Sequence, residues 1–370
     1  MKIEEIELFR VTMPMKEPWR TAFGEESEID VVFVRVTMEG VDGWGETAPY
    51  RLPQYSPEWA DGAFVLLRDV LAPSLVGRNV NSGVELQNIL RSFKGNPFAK
   101  AGIDNAWWDA YAKLQGEPLW RLIGGKQPVV TVGADIAVMD SVEDLIDAVD
   151  KAQSAGFKRT KLKFRRGLGV DKVARVREQF PDATIHIDCN SGFTLDDLPM
   201  FRELDTFGLA MIEQPLAHDD LVDHARLQSE LITPICLDES IVSIDRARKA
   251  IDIDACRWIN IKPGRVGGLT NAIAIHDYCK QRHTPCWVGG MLESAVGQGP
   301  SLALSTLPNM RYPADIFPSD RLYSQDLSEP DIVLSAPSEV TAPSIAGHGF
   351  KPVIERLQRL TIERALVRSS

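Results

Sequence analysis

The run Thr160-Lys161-Leu162-Lys163-Phe164 constrains the fold most, because it places two lysines in an apolar, β-branched stretch typical of a strand. Side chains two residues apart in a strand point to the same side, so both ammonium groups project into one space. A strand between helical segments is buried on both faces, where lysine is rare unless it has a task. Two like charges this close are expected to depress one another's pKa, which makes a lysine a base near neutral pH. Taken alone, the run is equally compatible with a frayed strand end whose lysines are solvated.

The context of this run is a series of short apolar stretches that alternate with helical segments after residue 126. Repeated βα units of this number close into a parallel barrel. The sequence therefore predicts an α/β protein with a TIM-like (β/α)7β barrel over residues 126–330. The predicted strands, of which the eighth is the least clear, are Val129–Ala134, Thr160–Phe164, Thr184–Asp188, Ala210–Glu213, Pro234–Asp238, Arg257–Lys262, Pro285–Val288 and Arg311–Ile316.

The regions on either side of the barrel predict an α+β capping domain. Residues 1–125 begin with strand patterns at Lys2–Thr12 and Asp30–Met38 and continue with helical periods. Residues 331–370 return to a strand and a charged amphipathic helix, which are expected to pack back on residues 1–125 and complete the cap. Between the first two strands, Pro18–Glu25 is a polar-aromatic loop of the kind that contacts substrates, although a plain surface loop is commoner.

Charge and cysteine content exclude several classes of partner and site. The net charge of −11 and the lack of a basic stripe argue against nucleic acid or anionic membrane surfaces as partners. No apolar run approaches membrane-spanning length, and the N-terminal residues do not form a signal peptide, so a cytoplasmic location is expected. The five cysteines have no CxxC spacing, which suits reduced thiols and argues against a zinc site.

Charged residues stand at the ends of consecutive predicted strands. Lys163 ends the second strand, Asp188, Glu213 and Asp238 end the next three, and Lys262 ends the sixth. One βα unit of 25 residues separates each carboxylate from the next. Because barrel active sites lie at the carboxyl ends of the strands, all of these groups are expected to ring a single mouth.

Three converging carboxylates would repel one another unless a cation lies between them. Ligands that are all oxygen indicate Mg²⁺, or Mn²⁺ as a substitute, and exclude a zinc-type site; Cys189 is expected to be structural, with its side chain turned away from the mouth. Singly, Asp188 or Asp238 could cap the following helix, and Glu213 could occupy an ordinary strand-end turn. In register, and with lysines on both sides, they predict an enzyme with a divalent cation.

A metal flanked by lysines on strands two and six suits removal of a proton alpha to a carboxylate. That proton is weakly acidic, and the enediolate that it leaves needs strong electrostatic stabilisation. Since these strands face each other across the barrel, Lys163 and Lys262 should approach opposite faces of the bound carbanion. Two opposed bases permit racemisation, whereas one base and a leaving group permit elimination.

With these residues in place, the chain resembles the muconate-lactonising subgroup of the enolase superfamily, whose sites use a lysine or histidine base with Mg²⁺. The resemblance covers nearly the whole chain. Within the subgroup, the stretches Ala106–Trp120, Trp258–Thr270 and Trp287–Ser294 resemble o-succinylbenzoate synthases and their N-acylamino acid racemase relatives. The Met-Leu-Glu run of the third stretch also occurs in muconate cycloisomerases.

The resemblance implies syn dehydration of a cyclohexadiene carboxylate to o-succinylbenzoate, a step of menaquinone synthesis. Lys163 would be the base and then the acid, Lys262 would stabilise the anion from the opposite face, and Lys161 would tune Lys163 near the substrate carboxylate. Racemisation of N-succinyl or other N-acylamino acids is the alternative, alone or alongside dehydration, because racemising members often carry an arginine at the position of Arg265. Muconate-type cycloisomerisation is less favoured. Mandelate-type racemisation is excluded by Lys262, and dipeptide epimerisation is disfavoured because the eighth strand lacks an Asp-x-Asp pair.

The residues that would contact the substrate match those of the relatives less closely than the lysines and carboxylates do. Asp135 stands where relatives often carry a small residue such as serine, and an acid there would disfavour a carboxylate and favour an amide or a cationic side chain. Arg20 could meet the succinyl carboxylate or be a surface charge. Glu239 and Arg265 are expected to tune the site, and the partners implied are a small carboxylate substrate and further copies of the chain in a homo-oligomer. The other expected contacts are Asn190, Gly290, Met291, Glu293 and Ser294.

Overall fold

The computed structural model describes residues 1–20 and 24–369 and contains an antiparallel sheet, a parallel barrel and the helices that cover them. In this part of the chain, no helix has both the length and the apolar composition needed to cross a membrane. The strands are β1 (Ile3–Arg20), β2 (Glu25–Met38), β3 (Val41–Thr47), β4 (Val129–Thr131), β5 (Ala134–Ile136), β6 (Thr160–Lys163), β7 (Ile185–Asp188), β8 (Ile212–Glu213), β9 (Ile235–Leu237), β10 (Trp258–Ile261), β11 (Cys286–Val288), β12 (Ser328–Glu329), β13 (Glu339–Thr341), β14 (Lys351–Pro352) and β15 (Thr361–Arg368). The α-helices are α1 (Ala60–Leu66), α2 (Ala72–Leu75), α3 (Gly83–Leu90), α4 (Pro97–Gln115), α5 (Leu119–Leu122), α6 (Val142–Ser154), α7 (Val170–Gln179), α8 (Leu198–Leu204), α9 (Leu221–Glu230), α10 (Ile244–Asp252), α11 (Pro263–Val266), α12 (Leu269–Gln281), α13 (Ala295–Ser305), α14 (Ser319–Leu322) and α15 (Ile354–Leu360).

The capping domain is built on an antiparallel sheet with the strand order β15-β1-β2-β3. In β2, the consecutive residues Val31, Val32, Phe33 and Val34 are all buried, because both faces of this strand are covered. The C-terminal strand β15 pairs with β1, so the end of the chain completes the sheet that its beginning starts. This confirms a cap formed from both ends of the chain, while the domain boundaries at residues 125 and 330 stay predictions.

The loop predicted at Pro18–Glu25 is shorter than expected, because β1 continues to Arg20 and β2 begins at Glu25. Trp19 pairs with Glu26, and Arg20 pairs with Glu25. A register shift between Pro14 and Trp19 takes up the proline-containing stretch, so the hairpin ladder resumes after it. Residues 21–23 of the predicted loop lie outside the described residues.

Helix α4 fixes the cap on the barrel. A Cβ atom added to Gly43 of β3 would lie 2.1 Å from the Ala106 carbonyl oxygen of α4, so only glycine permits this close packing. At the other side of α4, the Asp104 carboxylate accepts a hydrogen bond of 3.0 Å from the Thr270 backbone N–H at the start of α12. A cap residue therefore satisfies the free N–H groups of a barrel helix, which holds the cap over the mouth of the barrel.

The barrel is a parallel sheet in which the strands follow chain order from β5 to β11. Lys163 of β6 lies opposite Asp188 of β7, and Asp188 lies opposite Glu213 of β8. Helices pack between successive strands, and serine side chains cap several of them; Ser141 accepts a hydrogen bond of 3.0 Å from the Asp144 N–H of α6. The α/β barrel predicted from the spacing is confirmed, and its register brings the predicted site residues to one edge.

The first barrel strand differs from the prediction of Val129–Ala134. Residues Val129–Thr131 form β4, which pairs antiparallel with β13, and the barrel begins only with β5. Between them, a Cβ atom on Gly133 would lie 2.1 Å from Nε of Arg159, so the chain passes the buried guanidinium at a glycine. Asp135, which directly follows the predicted first strand, therefore lies in the middle of β5.

The eighth predicted strand, Arg311–Ile316, is not a regular strand, and Pro313 in its middle has no N–H to give to a ladder. The segment still closes the barrel through backbone hydrogen bonds to both neighbours. The Gly133 N–H donates to the Ala314 carbonyl at 3.0 Å, and the Asp315 N–H donates to the Val288 carbonyl at 2.9 Å. The seven regular strands of the described chain and this segment thus form a closed wall.

Candidate active site

A cavity of about 30 Å³ lies under the cap at the carboxyl ends of the barrel strands. A polar volume of this size is large enough to hold ordered water. The predicted site residues that line it are Asp135, Lys161, Lys163, Asn190, Lys262, Gly290 and Met291. The lining residues that the sequence did not single out are Trp19, Tyr50, Tyr55, Leu292 and Phe317.

Lys161 and Lys163 both reach the cavity from β6, as the two-residue spacing predicts. The Nζ atom of Lys161 lies 2.9 Å from a carboxylate oxygen of Asp188 and 2.9 Å from one of Glu213. The Nζ atom of Lys163 donates to the same oxygen of Asp188 at 2.7 Å and to Oδ1 of Asn190 at 3.2 Å. The lysine pair is thus held by acceptors at the ends of the neighbouring strands.

The expectation that the lysines depress each other's pKa is wrong for Lys161. Burial lowers the pKa of Lys161, but the carboxylates of Asp188, Glu213 and Asp315 outweigh burial and hold this pKa well above its ordinary value. Burial alone would raise the pKa of Asp188, yet the Lys161 and Lys163 ammonium groups hold it well below its usual range. Opposite charges at contact distance therefore outweigh the repulsion between the lysines.

Glu213 is oriented by two groups inside the barrel. Nδ2 of Asn260 donates to Oε1 of Glu213 at 2.7 Å, while Oδ1 of Asn260 accepts from the Gly289 N–H at 2.9 Å. Nε2 of His186 lies 3.2 Å from Oε2 of Glu213, and its other nitrogen lies 3.2 Å from the Tyr312 hydroxyl. Burial lowers the pKa of His186 to about 4, so the imidazole is neutral near pH 7. The buried His186 thus positions a site carboxylate.

Asp238 is surrounded by donors from both domains. The Nζ atom of Lys262 donates to one oxygen at 2.9 Å, and the Arg265 guanidinium and the Tyr55 hydroxyl of the cap donate to the other. Lys262 follows β10 directly and Pro263 begins α11, so Arg265 lies one turn later on the same side. The capping domain therefore contributes a side chain to the barrel mouth.

The backbone turns sharply just after two of the carboxylates. Asn190, two residues after Asp188, has φ of +42°, and Gln214, the residue after Glu213, has φ of +38°. Such left-handed residues are uncommon outside glycine and cluster at functional sites. Oε1 of Gln214 accepts from the Asp238 N–H at 2.9 Å, so this residue links the end of β8 to the carboxylate after β9.

Arg159 is fully buried and pairs with two acids at the mouth. Its guanidinium donates to Oδ1 of Asp135 at 2.9 Å and to Oδ1 of Asp315. Burial raises the pKa of Asp135 to about 6, although Arg159 and Lys161 act in the opposite direction. The acid that was predicted to repel a substrate carboxylate thus has a cation beside it.

Glu239, predicted to tune the site, has one satisfied and one unsatisfied oxygen. Oε1 accepts a hydrogen bond of 3.2 Å from Nδ2 of Asn190. Oε2 is buried and has no hydrogen-bond partner among the described residues. Burial, followed by the nearby Asp188 charge, raises the pKa of Glu239 to about 7.

Three predicted substrate contacts do not line the cavity. Arg20 pairs with Asp140 at 2.9 Å and with Glu25 at 3.3 Å, and 43% of its side chain is exposed, so it is a surface charge here. Ser294 caps α13 and donates from its hydroxyl to the Glu46 carboxylate. Glu293 is buried behind the lining, where burial raises its pKa to about 7.

Some of the residues that sequence reasoning missed carried a usable signal. Asn260 lies two residues before Lys262 in one strand, so it had to point to the same side. Asp315 lies near the end of the eighth segment, where the same rule on strand ends applies. Tyr55 and Trp19 belong to the cap, and no periodicity in the barrel connects them to the site.

The donors at the mouth fit a hard divalent cation. Asp188, Glu213 and Asp238 supply only carboxylate oxygens, and the unpartnered Oε2 of Glu239 is a further buried oxygen. The Lys161 ammonium bridges Asp188 and Glu213, so a positive charge is already accommodated between these two groups. Among residues 1–20 and 24–369, no group of three or more His, Cys, Asp or Glu side chains is arranged to hold a metal ion. Each of the three carboxylates contacts a lysine in this structure.

A barrel with lysines and carboxylates on successive strand ends, closed by an α+β cap, defines the enolase class of enzymes. The chain belongs to the enolase superfamily: residues 144–356 match the model of the enolase C-terminal domain-like family, and residues 3–124 match that of the mandelate racemase / muconate lactonizing enzyme N-terminal domain. This confirms the resemblance on which the sequence interpretation rested.

Relatives within the superfamily match over almost the full length. The chain is 40% identical to an o-succinylbenzoate synthase of Geobacillus kaustophilus, with 98% of this chain and 96% of the relative covered. It is 38% identical to an N-succinylamino acid racemase of Thermus thermophilus, with 98% of each covered. A crystal structure of an enolase superfamily member from Listeria innocua is similar with a TM-score of 0.96 at 33% identity, covering 100% of this chain and 99% of that one.

Proposed function

We propose that this enzyme is a carbon–oxygen lyase of the o-succinylbenzoate synthase type. Its substrate would be a hydroxylated cyclohexadiene carboxylate, and its product o-succinylbenzoate, as in menaquinone synthesis. The observation that carries the proposal is the presence of Lys163 and Lys262 in the lining of one cavity, on β6 and directly after β10, with the three carboxylates between them. Full-length relatives with this activity support it.

The side chains divide the reaction between them. Nζ of Lys163, in its neutral form, takes the proton from the carbon next to the substrate carboxylate. The C–O bond to the hydroxyl then breaks as the ring double bond forms, and the same ammonium returns its proton to the departing oxygen, so that water leaves. One group can serve both steps because proton and hydroxyl leave from the same face. The ammonium of Lys262 stabilises the negative charge between the two steps.

Mg²⁺, or Mn²⁺ in its place, would be held by the carboxylates of Asp188, Glu213 and Asp238. When bound, such a cation takes up charge from the substrate carboxylate and makes the neighbouring proton more acidic. Lys161 lies between two of these carboxylates and would remain close to the substrate carboxylate. The oxygen-only donors and the unpartnered oxygen of Glu239 support this assignment.

Racemisation of N-succinylamino acids is the second candidate. The observation that favours it is Lys262, which adds an amine to the cavity from a different strand than Lys161 and Lys163, together with relatives named N-succinylamino acid racemase at 38% identity. A racemase needs the amines of both Lys163 and Lys262 to exchange protons, whereas a dehydratase needs only that of Lys163 to do so. Muconate-type cycloisomerisation has weaker support, since the solved cycloisomerases match at about a quarter identity.

Proton NMR in D₂O separates these activities. The Mg²⁺-loaded enzyme is given the cyclohexadiene substrate and, separately, N-succinyl-L-phenylalanine. We expect rapid dehydration of the cyclohexadiene substrate. Incorporation of α-deuterium into N-succinyl-L-phenylalanine should be slower. Exchange and racemisation without dehydration would replace the lyase assignment by the racemase assignment. If neither reaction were observed, both assignments would be contradicted.

Asp135 is expected to select against acidic side chains on N-succinylamino acids. Its carboxylate faces the cavity beside Arg159, and a second negative charge placed there would be repelled. In Asp135→Ser, the ratio of kcat/KM for N-succinylglutamate to that for N-succinylglutamine should rise about tenfold. Because a carboxyl is charged above its pKa, and that of Asp135 is about 6, the discrimination should be present at pH 8 and fade below pH 6. Asp135→Asn is the matched neutral control, which removes the charge but keeps the size of the side chain. If the ratio at pH 8 were the same in these variants as in the wild type, this role of Asp135 would be contradicted.

A further inference from the structure

A second cavity, of about 470 Å³, lies outside the barrel wall beside β5. Asp135 points into the barrel toward Arg159, so its neighbours Ala134 and Ile136 in the same strand face outward, toward α6. The apolar side chains that line this lateral cavity are Ala134, Ile136, Met139, Ala148, Ala152, Phe157, Phe317 and Pro318. It is therefore separate from the catalytic cavity, although Asp135 and Phe317 border both.

The lateral cavity exists because the last barrel unit lacks a full helix. Each earlier strand is followed by a helix that covers the outside of the wall, as α6 does after β5. After the eighth segment the chain forms only α14, which has four residues. The outer face between α6 and this segment consequently stays hollow, and its volume falls within the range of small-molecule sites, roughly 300–1,000 Å³.

The rim of the lateral cavity carries two cations that lack a carboxylate partner. Lys151 of α6 and Arg321 of α14 both line it, and neither forms an ion pair with any acid in the described ranges. The Arg321 guanidinium donates to the Asp135 carbonyl at 3.1 Å and lies 5.5 Å from the ring centre of Trp19. Two acids also border the cavity, but the Asp135 carboxylate is turned into the barrel toward Arg159, so Asp320 is the acid that faces these cations at the rim.

We propose that the lateral cavity binds a small carboxylic acid with an apolar, aryl or alkyl, body. The apolar walls would receive the body, and Lys151 and Arg321 would bind the carboxylate at the rim. A carboxylate fits better than an amine, because Lys151 and Arg321 face a single acid at the rim, Asp320. It fits better than a neutral molecule, because cations without a carboxylate partner among the described residues favour an anion beside an apolar surface. The proposal is independent of the lyase assignment, since it involves none of the lysines at the strand ends.

The test uses 4-phenylbutyrate as the probe and the Mg²⁺-loaded full chain. Isothermal titration calorimetry should give a Kd on the order of 1 mM or below, as expected for a ligand of this size. The neutral isostere 4-phenylbutyramide should bind at least about threefold more weakly. Lys151→Gln and Arg321→Gln should each weaken binding of the acid by about three- to tenfold, since both cations are solvent-exposed at the rim. Ala148→Phe, which fills the cavity from α6, should abolish it.

Two controls make the test specific. Lys249→Gln removes an exposed lysine of α10 far from the cavity and should leave the Kd unchanged. Lys262→Ala changes the catalytic cavity and should also leave it unchanged. Loss of binding in Lys262→Ala but not in Lys151→Gln would place the acid in the catalytic cavity and overturn the proposal. Equal binding of the amide, or no binding up to 10 mM (roughly tenfold above the expected Kd), would also overturn it. If the wild type does not bind the acid and Ala148→Phe changes the sedimentation coefficient, the proposal is also overturned, because a second copy of the chain would then cover this surface.

Discussion

Replacing Lys163 by alanine is expected to lower dehydration of the cyclohexadiene substrate by about a thousandfold or more, and to abolish α-proton exchange on it. General acid–base catalysis by one group contributes about 10²–10⁴-fold, and here the same amine serves in both proton transfers. Its Nζ atom lies in the cavity and is held 2.7 Å from Asp188. The measurement is proton NMR in D₂O, which follows dehydration and exchange in one experiment.

The control for this prediction is metal binding, because Lys163 also touches a predicted metal ligand. Removing its ammonium takes a competing cation away from Asp188, so the Mg²⁺ affinity of Lys163→Ala, by calorimetry, should not be weaker than that of the wild type. Lys158→Ala, two residues before β6 and 58% exposed in its side chain, is the matched surface variant and should keep full activity. Retained exchange in Lys163→Ala would mean that another group is the base.

The parts of the fold that depend on a regular repeat in the sequence were predictable from it. The two-residue alternation in β6 put Lys161 and Lys163 on one side, and the unit of 25 residues put Asp188, Glu213 and Asp238 at one edge. Both patterns depend on local backbone geometry, which holds wherever a regular strand or βα unit forms. The C-terminal return to the cap was predictable for a similar reason, since an amphipathic element needs an apolar surface to cover.

Features that depend on contacts between distant segments were not predictable in this way. Arg159 is buried between Asp135 and Asp315. In the sequence it precedes a predicted strand, as many exposed charged residues do, so nothing local predicts its burial. The eighth segment is irregular because of Pro313 and because its backbone hydrogen bonds must reach both neighbouring segments of the wall. The positions of those neighbours cannot be obtained from a local sequence pattern. The raised pKa of Lys161 likewise follows from carboxylates on three other segments of the barrel.

The cap contribution was missed for the same reason. Tyr55 is separated by more than 180 residues from Asp238, to which it donates a hydrogen bond of 3.2 Å. For Arg20, the sequence left a substrate contact and a surface charge open, and in the structure nearby acids at the surface bind it. The adjacent Trp19 lines the cavity instead, as alternation along β1 allows.

Replacing Lys262 by alanine is expected to separate the two candidate reactions. Its ammonium is held by Asp238 at 2.9 Å and by the Tyr55 hydroxyl at 3.2 Å, with the Tyr55 ring centre 4.9 Å away. Racemisation needs a proton acceptor on this face, so it should fall by about a thousandfold or more. Dehydration loses only the stabilising charge and should fall less, by about ten- to a hundredfold.

The measurement for Lys262→Ala follows the α-proton of each enantiomer of N-succinylphenylalanine separately in D₂O. The enantiomer whose proton faces Lys163 should still exchange in this variant, whereas its mirror image should not, because no amine remains on that side. Tyr55→Phe is the milder companion: it removes one hydroxyl acceptor of the Lys262 ammonium but keeps the amine, so both enantiomers should still exchange. Unimpaired dehydration in Lys262→Ala would refute the supporting role of its charge. Equal exchange of both enantiomers would show that the two lysines do not approach opposite faces of the substrate, since one amine cannot reach both sides of a fixed carbanion.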